Sequence, residues 1–216
     1  MTSARGIALV IVLIALAVCS ALGLGLVLVT TGERLATANY AEALQTANAA
    51  DAALQLAVHE LDAIGDWDDV LSGAVASRYV EGVAPVDLAA LTNELTCGRP
   101  ASCTDARRRT STRESPWAAN NPAWRVFLRA PLSSLVNIPA GSADMYIVAW
   151  VGDDARETDD DPLRDGGAGG AGGNVVRVRA EAFGRTGARH AIEADVIRQP
   201  AGIRVQSWRV PAAPVP

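Results

Sequence analysis

From Ile7 to Thr31 the chain carries no charged residue, and this run constrains the molecule more than any other feature of it. Its core is Ile7-Ala8-Leu9-Val10-Ile11-Val12-Leu13-Ile14-Ala15-Leu16-Ala17-Val18-Cys19-Ser20-Ala21-Leu22-Gly23-Leu24-Gly25-Leu26-Val27-Leu28-Val29. About 20 consecutive apolar residues, wound as a helix, match the thickness of a bilayer's hydrocarbon core. Arg5 on the short flank predicts a cytoplasmic N-terminus, with the remainder crossing the membrane.

Three readings of the run compete. A cleaved secretory signal has an apolar core of roughly 7–15 residues followed by a small-x-small site; this run is longer, and no convincing site follows it. A lipoprotein signal would use Cys19, but Val18 is large for the position before it and apolar sequence continues beyond. The third reading is a short basic leader ending in Gly6, followed by a retained helix.

The stretch that follows favours the third. Between Glu33 and Ile64 there is no Pro, Ala is abundant, and apolar residues recur near helical spacing at Leu35, Tyr40, Leu44, Ala47, Leu54, Val58 and Leu61, with Asp51 interrupting the stripe. Gly65-Asp66 supplies a stop. One helix over 7–64 would span about 87 Å at about 1.5 Å per residue. Its stripe is too Ala-rich for a strong coiled coil and suits close packing in a crowded bundle.

The segment Arg5-Gly6-Ile7-Ala8-Leu9-Val10-Ile11-Val12-Leu13 resembles the processing region of type IV pilins and pseudopilins. The stretch from Thr30-Thr31-Gly32-Glu33-Arg34-Leu35-Ala36 through Ala47-Asn48-Ala49-Ala50-Asp51-Ala52-Ala53-Leu54 resembles the N-terminal region of PilX-type minor pilins. The resemblance covers roughly the first 64 residues. It implies a leader over 1–6, cleaved after Gly6 by a prepilin peptidase, and N-methylation of Ile7. It implies a long helix over 7–64, with 7–30 in the inner membrane as a single pass, and an extracytoplasmic globular domain over 65–216. Its implied partners are other pilin subunits and an inner-membrane assembly platform that builds a cell-surface pilus. Family members usually begin the mature chain with Phe, and major subunits carry Glu at the fifth mature position. Here those positions hold Ile7 and Ile11. A carboxylate in lipid is costly unless paired, so its absence removes both a cost and a docking partner, which suits a minor subunit with an assembly, tip or adhesion role. A minor pseudopilin of a type II secretion system would share nearly all these features. A single-span anchored binding module is the reading from a different class. Gly23 and Gly25 each cost up to about 1 kcal/mol of helix propensity; loosening during assembly and ordinary close packing account for them equally well.

Beyond the helix, 66–124 reads as irregular and polar, with a short helix around Asp87–Leu95 and a solvated basic loop at Arg107-Arg108-Arg109 and Arg113. Strands are expected at Trp124–Ala130, Met145–Val151, Val175–Ala182 and Arg189–Ile197, the last two alternating with period two and joined by Gly184-Arg185-Thr186-Gly187. The expected fold is α+β and pilin-like: an antiparallel sheet with one wet face, its dry face packed on the C-terminal half of the helix. Trp117, Trp124, Trp150 and Trp208 are expected in the core or sheet. The Pro-rich end, Pro211–Pro216, is expected to fray.

Cys97 and Cys103 flank a Gly-Arg-Pro turn, and outside the cytoplasm a disulfide is the favoured pairing over half of a metal site. Residues 152–165 hold six Asp and one Glu in fourteen positions. Glu157, Asp159, Asp161 and Asp165 could supply oxygen ligands to Ca2+. EF-hand spacing is absent, and a solvated acidic loop is the competing reading. Gly167-x-Gly169-x-x-Gly172 formally matches a dinucleotide fingerprint but does not follow a strand and open a helix, so it reads as linker. Net charge, 19 − 24 = −5, gives no basic face for nucleic acid. The two histidines, His59 and His190, join no catalytic constellation, and the remaining acids read as solvated. No enzymatic activity and no resident cofactor besides the Ca2+ candidate are expected.

Overall fold

The computed structural model describes residues 3–111, 117–135, 145–157, 159–166 and 173–211. Arg113, most of the glycine tract and all but Pro211 of the Pro-rich end lie outside the described residues. Helix α1 runs Ser3–Asp62. The chain divides into two compact units, Met1–Glu42 and Ala43–Pro216.

The first unit is the N-terminal part of α1. Every described side chain from Ile7 to Ala41 is exposed, and from Ile7 to Val29 the large apolar side chains are all at least half exposed. A helix with its whole apolar circumference open and a mean hydropathy of 3.0 over its best window is long and apolar enough to cross a membrane. Thr30 and Thr31 turn their hydroxyls back onto the carbonyls of Leu26 and Val27, so neither adds an unsatisfied donor at the end of the apolar run.

Among the described residues the second unit holds the rest of α1, four short α-helices, a 3-10 turn at Ala118–Asn120 and one antiparallel sheet. The helices are α2 (Asp68–Ser72), α3 (Leu88–Cys97), α4 (Asp105–Arg109) and α5 (Leu132–Leu135). The strands are β1 (Arg125–Pro131), β2 (Tyr146–Asp153), β3 (Val175–Phe183), β4 (Arg189–Gln199) and β5 (Gly202–Arg209). They lie in sequence order, β1-β2-β3-β4-β5. Four of them match the expected strands to within about two residues at each end. β5 was not expected; it alternates too, but it follows a two-residue Pro-Ala turn, with Gly202 at φ +115°.

Alternation assigns the faces. Ile147, Ala149 and Val151 on β2, Val176, Val178, Ala180 and Ala182 on β3, and Ile192, Ala194 and Val196 on β4 form one core with α1. A bulge in β1 inserts Phe127 between Val126 and Leu128, and both Phe127 and Leu128 enter this core. The helix contributes Ala49, Ala50, Ala53, Leu54, Ala57 and Leu61. The buried stripe is therefore largely the alanines. Leu35, Tyr40 and Leu44, expected on it, are exposed. Small side chains let the helix backbone approach the sheet closely, which larger residues on that line would prevent.

The end of α1 is fastened by groups distant in sequence. Trp67 Nε1 donates to Leu61 O at 3.2 Å. Arg198, from β4, donates to the carbonyls of Ile64 and Gly65 and lies 4.3 Å from the centre of the Trp67 ring. The orphan carbonyls beyond the last turn thus meet a cation.

The sheet's other face is not wet, contrary to expectation. The described residues of 66–124 form three short α-helices and a 3-10 turn where a mostly irregular stretch was expected, and they cover part of that face. Asp87 caps α3 by accepting from Ala90 N at 3.0 Å. Leu95, Trp124, Tyr146, Val148, Trp150 and Phe183 form a second core, and Trp150 Nε1 donates to Thr92 Oγ1 at 2.9 Å. Trp117 and Trp208 stay exposed, Trp208 within β5. Arg108 is likewise not solvated: its guanidinium is buried against Ala119 O, Asn121 O and Asp105. Cys97 and Cys103 are joined, Cα to Cα 5.6 Å, at the C-terminal end of α3.

Several charged alternating positions of β3 and β4 are buried because they pair with one another. Arg179 bonds Glu181 at 2.6 Å and also Glu193. Arg189 completes Glu181 at 2.6 Å, and Arg209 completes Glu193 at 2.6 Å. Removing one partner of a buried pair strands the others. Arg179→Met is expected to lower unfolding free energy by about 3 kcal/mol, whereas Arg189→Ala, at the rim, costs about 1 kcal/mol or less; urea denaturation of the detergent-solubilised chain, followed by Trp fluorescence, distinguishes the two. Ala57→Leu, on the alanine stripe, is expected to cost about 1–3 kcal/mol by overpacking in the same assay.

Asp195 belongs to a second pairing group on this face. Burial alone would raise its pKa, but Ser207 Oγ at 2.7 Å, Arg177 Nε at 3.0 Å and Arg156 at 2.6 Å hold it below the usual carboxylate range. A depressed folded-state pKa contributes stability in full above the unfolded value and loses it as pH falls through the folded one. Thermal melts should therefore drop steeply below about pH 4, and Asp195→Asn should be less stable at neutral pH with a shallower acid limb.

Candidate functional site

Two regions carry chemistry. At the N-terminus, Gly6 and Ile7 lie in the first turns of α1, and Ile7 is exposed. A processing bond at this point would lie at the start of a helix whose described side chains are exposed through Ala41.

The second region lies where β2 runs out. The alternation that places Ile147, Ala149 and Val151 on the helix-side face puts Asp153 next in that row, and Asp153 is fully buried. The chain then turns: Asp153 Oδ1 accepts from Asp154 N at 2.8 Å, and Glu157 N donates to Asp154 O at 3.0 Å. This brings Glu157, 2 % exposed, back beside Asp153. Asp159 follows on the open side. One carboxylate oxygen from each of Asp153, Glu157 and Asp159 lies within 4.8 Å of the others.

The surroundings are short of donors. Glu157 Oε2 accepts from Gly166 N at 3.0 Å, and Asp159 Oδ1 accepts from Asp161 N at 2.9 Å. Asp153 Oδ2 and Glu157 Oε1 are buried without a partner. So is Asn120 Oδ1, whose amide nitrogen donates to Glu157 O at 2.5 Å. Gly166 leaves space here; a Cβ at that position would come within 2.5 Å of Glu157 Oε1. Among the described residues no arginine pairs with the three carboxylates. The nearby Arg156 is held by Asp154 and Asp195.

Burial, reinforced by the charge on Glu157, pushes Asp153 up to about 9. Burial also raises Glu157, with the charges of Asp159 and Asp165 adding to it and the Gly166 N–H and a hydrogen bond with the Asp153 side chain opposing. Asp165 is raised by burial against the N–H groups of Asn174 and Val175.

Of the four residues expected as ligands, Glu157 and Asp159 are brought together. Asp165 is occupied by Asn174 N at 2.7 Å, while its own N–H donates to Asp68 at 2.8 Å. Asp161 points elsewhere: it accepts from Leu163 N, pairs with Arg164 and lines a different cleft beside Asp105 and Arg108. Asp153 and Asn120 were missed. The available signal for Asp153 was its place in the alternating row of β2; Asn120, far away in sequence, offered none. Three of these acids are not solvated, which corrects the reading of the loop as uniformly exposed.

Residues 5–55 match the family model described as PilX N-terminal. No curated protein and no solved structure matches the chain. The matched residues lie entirely within α1, run through its exposed apolar part and end on the alanine stripe. Over residues 5–55 this chain is therefore similar to the N-terminal region of the PilX family.

Proposed function

We propose that the protein is a minor subunit of a type IV pilus, held in the inner membrane by α1 before assembly and packed into the filament through the same helix. The observation that carries this reading is the coincidence of the PilX N-terminal match with a helix whose described side chains are exposed from Ile7 through Ala41. Leaving so much apolar surface open is unfavourable in water at about 25 cal/mol per Å2, so the helix requires either lipid or other apolar helices around it. A subunit that moves from bilayer to filament exchanges one for the other. The role is structural: the chain offers neighbouring pilins an apolar helix and carries a domain that reaches the cell surface.

The absence of an acid at Ile11 suits a minor position, because a helix without a buried carboxylate enters and leaves lipid without a paired partner. In this reading a prepilin peptidase cleaves after Gly6, Ile7 becomes the methylated N-terminus, and an inner-membrane platform assembles the subunit. The Cys97–Cys103 bridge fits an oxidising compartment for the domain.

Intact mass and N-terminal sequencing of the chain purified from membranes of its native host test this. The expected product starts at methylated Ile7, and Gly6→Leu is expected to retain the leader and drop out of sheared pilus fractions. An intact leader in wild-type protein, in a host with an active prepilin peptidase, would sink the assignment and leave a plain membrane anchor.

A further inference from the structure

We propose that Asp153, Glu157 and Asp159, at the end of β2, form a binding site for a divalent cation of the Ca2+ class. Three carboxylates within 4.8 Å of one another do not by themselves make a site. The second observation is the state of the buried ones. Asp153 and Glu157 are almost completely enclosed, and each keeps one buried oxygen, Asp153 Oδ2 and Glu157 Oε1, that meets no donor from any other described residue; the two side chains bond each other only by sharing a proton, which a cation would replace. Asn120 Oδ1, anchored beside them through the Glu157 carbonyl, is a third buried acceptor without a donor. Among the described residues four buried side-chain atoms lack a partner, and three of them gather here. A buried anion is costly unless paired or coordinating a metal, and the neighbouring arginine is committed elsewhere.

The donor set selects the ion class. All donors are oxygen, without His or Cys, which favours a hard cation over zinc or copper. Ca2+ accepts six to eight oxygens at about 2.3–2.6 Å in adaptable geometry, whereas Mg2+ demands near-octahedral placement. Two acids from a strand end and turn, and a third from an exposed segment, suit the adaptable ion. Asp159 is the open side, by which a cation enters and on which water completes the shell. Gly166 supplies the clearance beside Glu157 Oε1.

The test uses the full chain in detergent micelles, titrated with CaCl2 by calorimetry and followed in parallel by thermal melting with and without EDTA. The expected result is saturable binding at about 0.1–1 mM or tighter and a melting temperature raised by several degrees, reversed by EDTA. Asp159→Asn, at an exposed position that cannot compromise the core, should weaken binding at least about tenfold. Asp153→Asn should abolish the Ca2+ response while melting no lower than the metal-free wild type, because the amide is a neutral replacement of nearly the same shape for the buried carboxyl. Asp161→Asn should bind as wild type. No heat and no melting shift at about 10 mM Ca2+ would overturn the proposal and leave Asp153 and Glu157 as a carboxyl pair sharing a proton. Wild-type binding by both Asp153→Asn and Asp159→Asn would overturn it equally, by placing the cation elsewhere.

Discussion

The packing of the alanine stripe of α1 on one face of the sheet is the contact on which the rest of the domain depends. Ala49, Ala50, Ala53 and Ala57 contribute little apolar area each. What they contribute is closeness: without long side chains between them, helix and sheet backbones approach, and the Val, Ile and Phe side chains of the strands fill the core. The same geometry makes the ends of the contact matter. Trp67 and Arg198 close the C-terminal end of the helix, so the chain leaves α1 in a fixed direction and α2 comes to lie against β1 and β2. That placement brings Asp68 to the N–H of Asp165 and fixes one flank of the acidic turn.

A sheet covered on one face by a helix can leave its other face to water, and the charges of β3 and β4 suggest that it does. Instead the face is divided. Aromatic residues of β2 and β3 pack under α3, while Arg179, Glu181 and Glu193 pair across strands and are buried as a group. Cross-strand partners set by register make this feasible: Arg179 is directly opposite Glu193. The group fixes register as well as contributing energy, because a one-residue slip would place these charges among the valines of the other face.

Much of this was legible in the sequence. The apolar run, the Ala-rich continuation, four strands, the β3–β4 hairpin and the Cys97–Cys103 pairing are local patterns. The parts that were not legible share one cause: they depend on residues brought together from far along the chain. Alternation shows that Arg179 and Glu181 share a face but cannot show that Trp150, Arg189 and Arg209 will enclose them. Periodicity marks a helix but not how far its stripe is buried: Leu54 and Leu61 of the expected stripe enter the core and Val58 packs against it, while Leu35, Tyr40 and Leu44 stay exposed and alanines fill the rest of the contact. Arg198 capping a helix more than 130 positions earlier in sequence has no local signature. The acidic segment was recognisable by composition, yet composition could not separate Asp153, at the tail of a buried row, from Asp161, which faces a different cleft.

The buried charge group of β3 and β4 and the one at the end of β2 differ in a way that bears on what each is for. In the β3–β4 group every acid is paired: Arg179, Arg189 and Arg209 meet Glu181 and Glu193, with hydrogen bonds to both oxygens of each carboxylate. Acids paired in this way need no cation from outside, and the group serves packing and register. The group at the end of β2 has carboxylates, an amide oxygen and no cation of its own. The neighbouring Arg156 is turned to Asp154 and Asp195. A sequence that pairs its other buried acids so completely, and leaves these unpaired where one side opens to solvent, has the charge pattern of a site completed by an ion from solution.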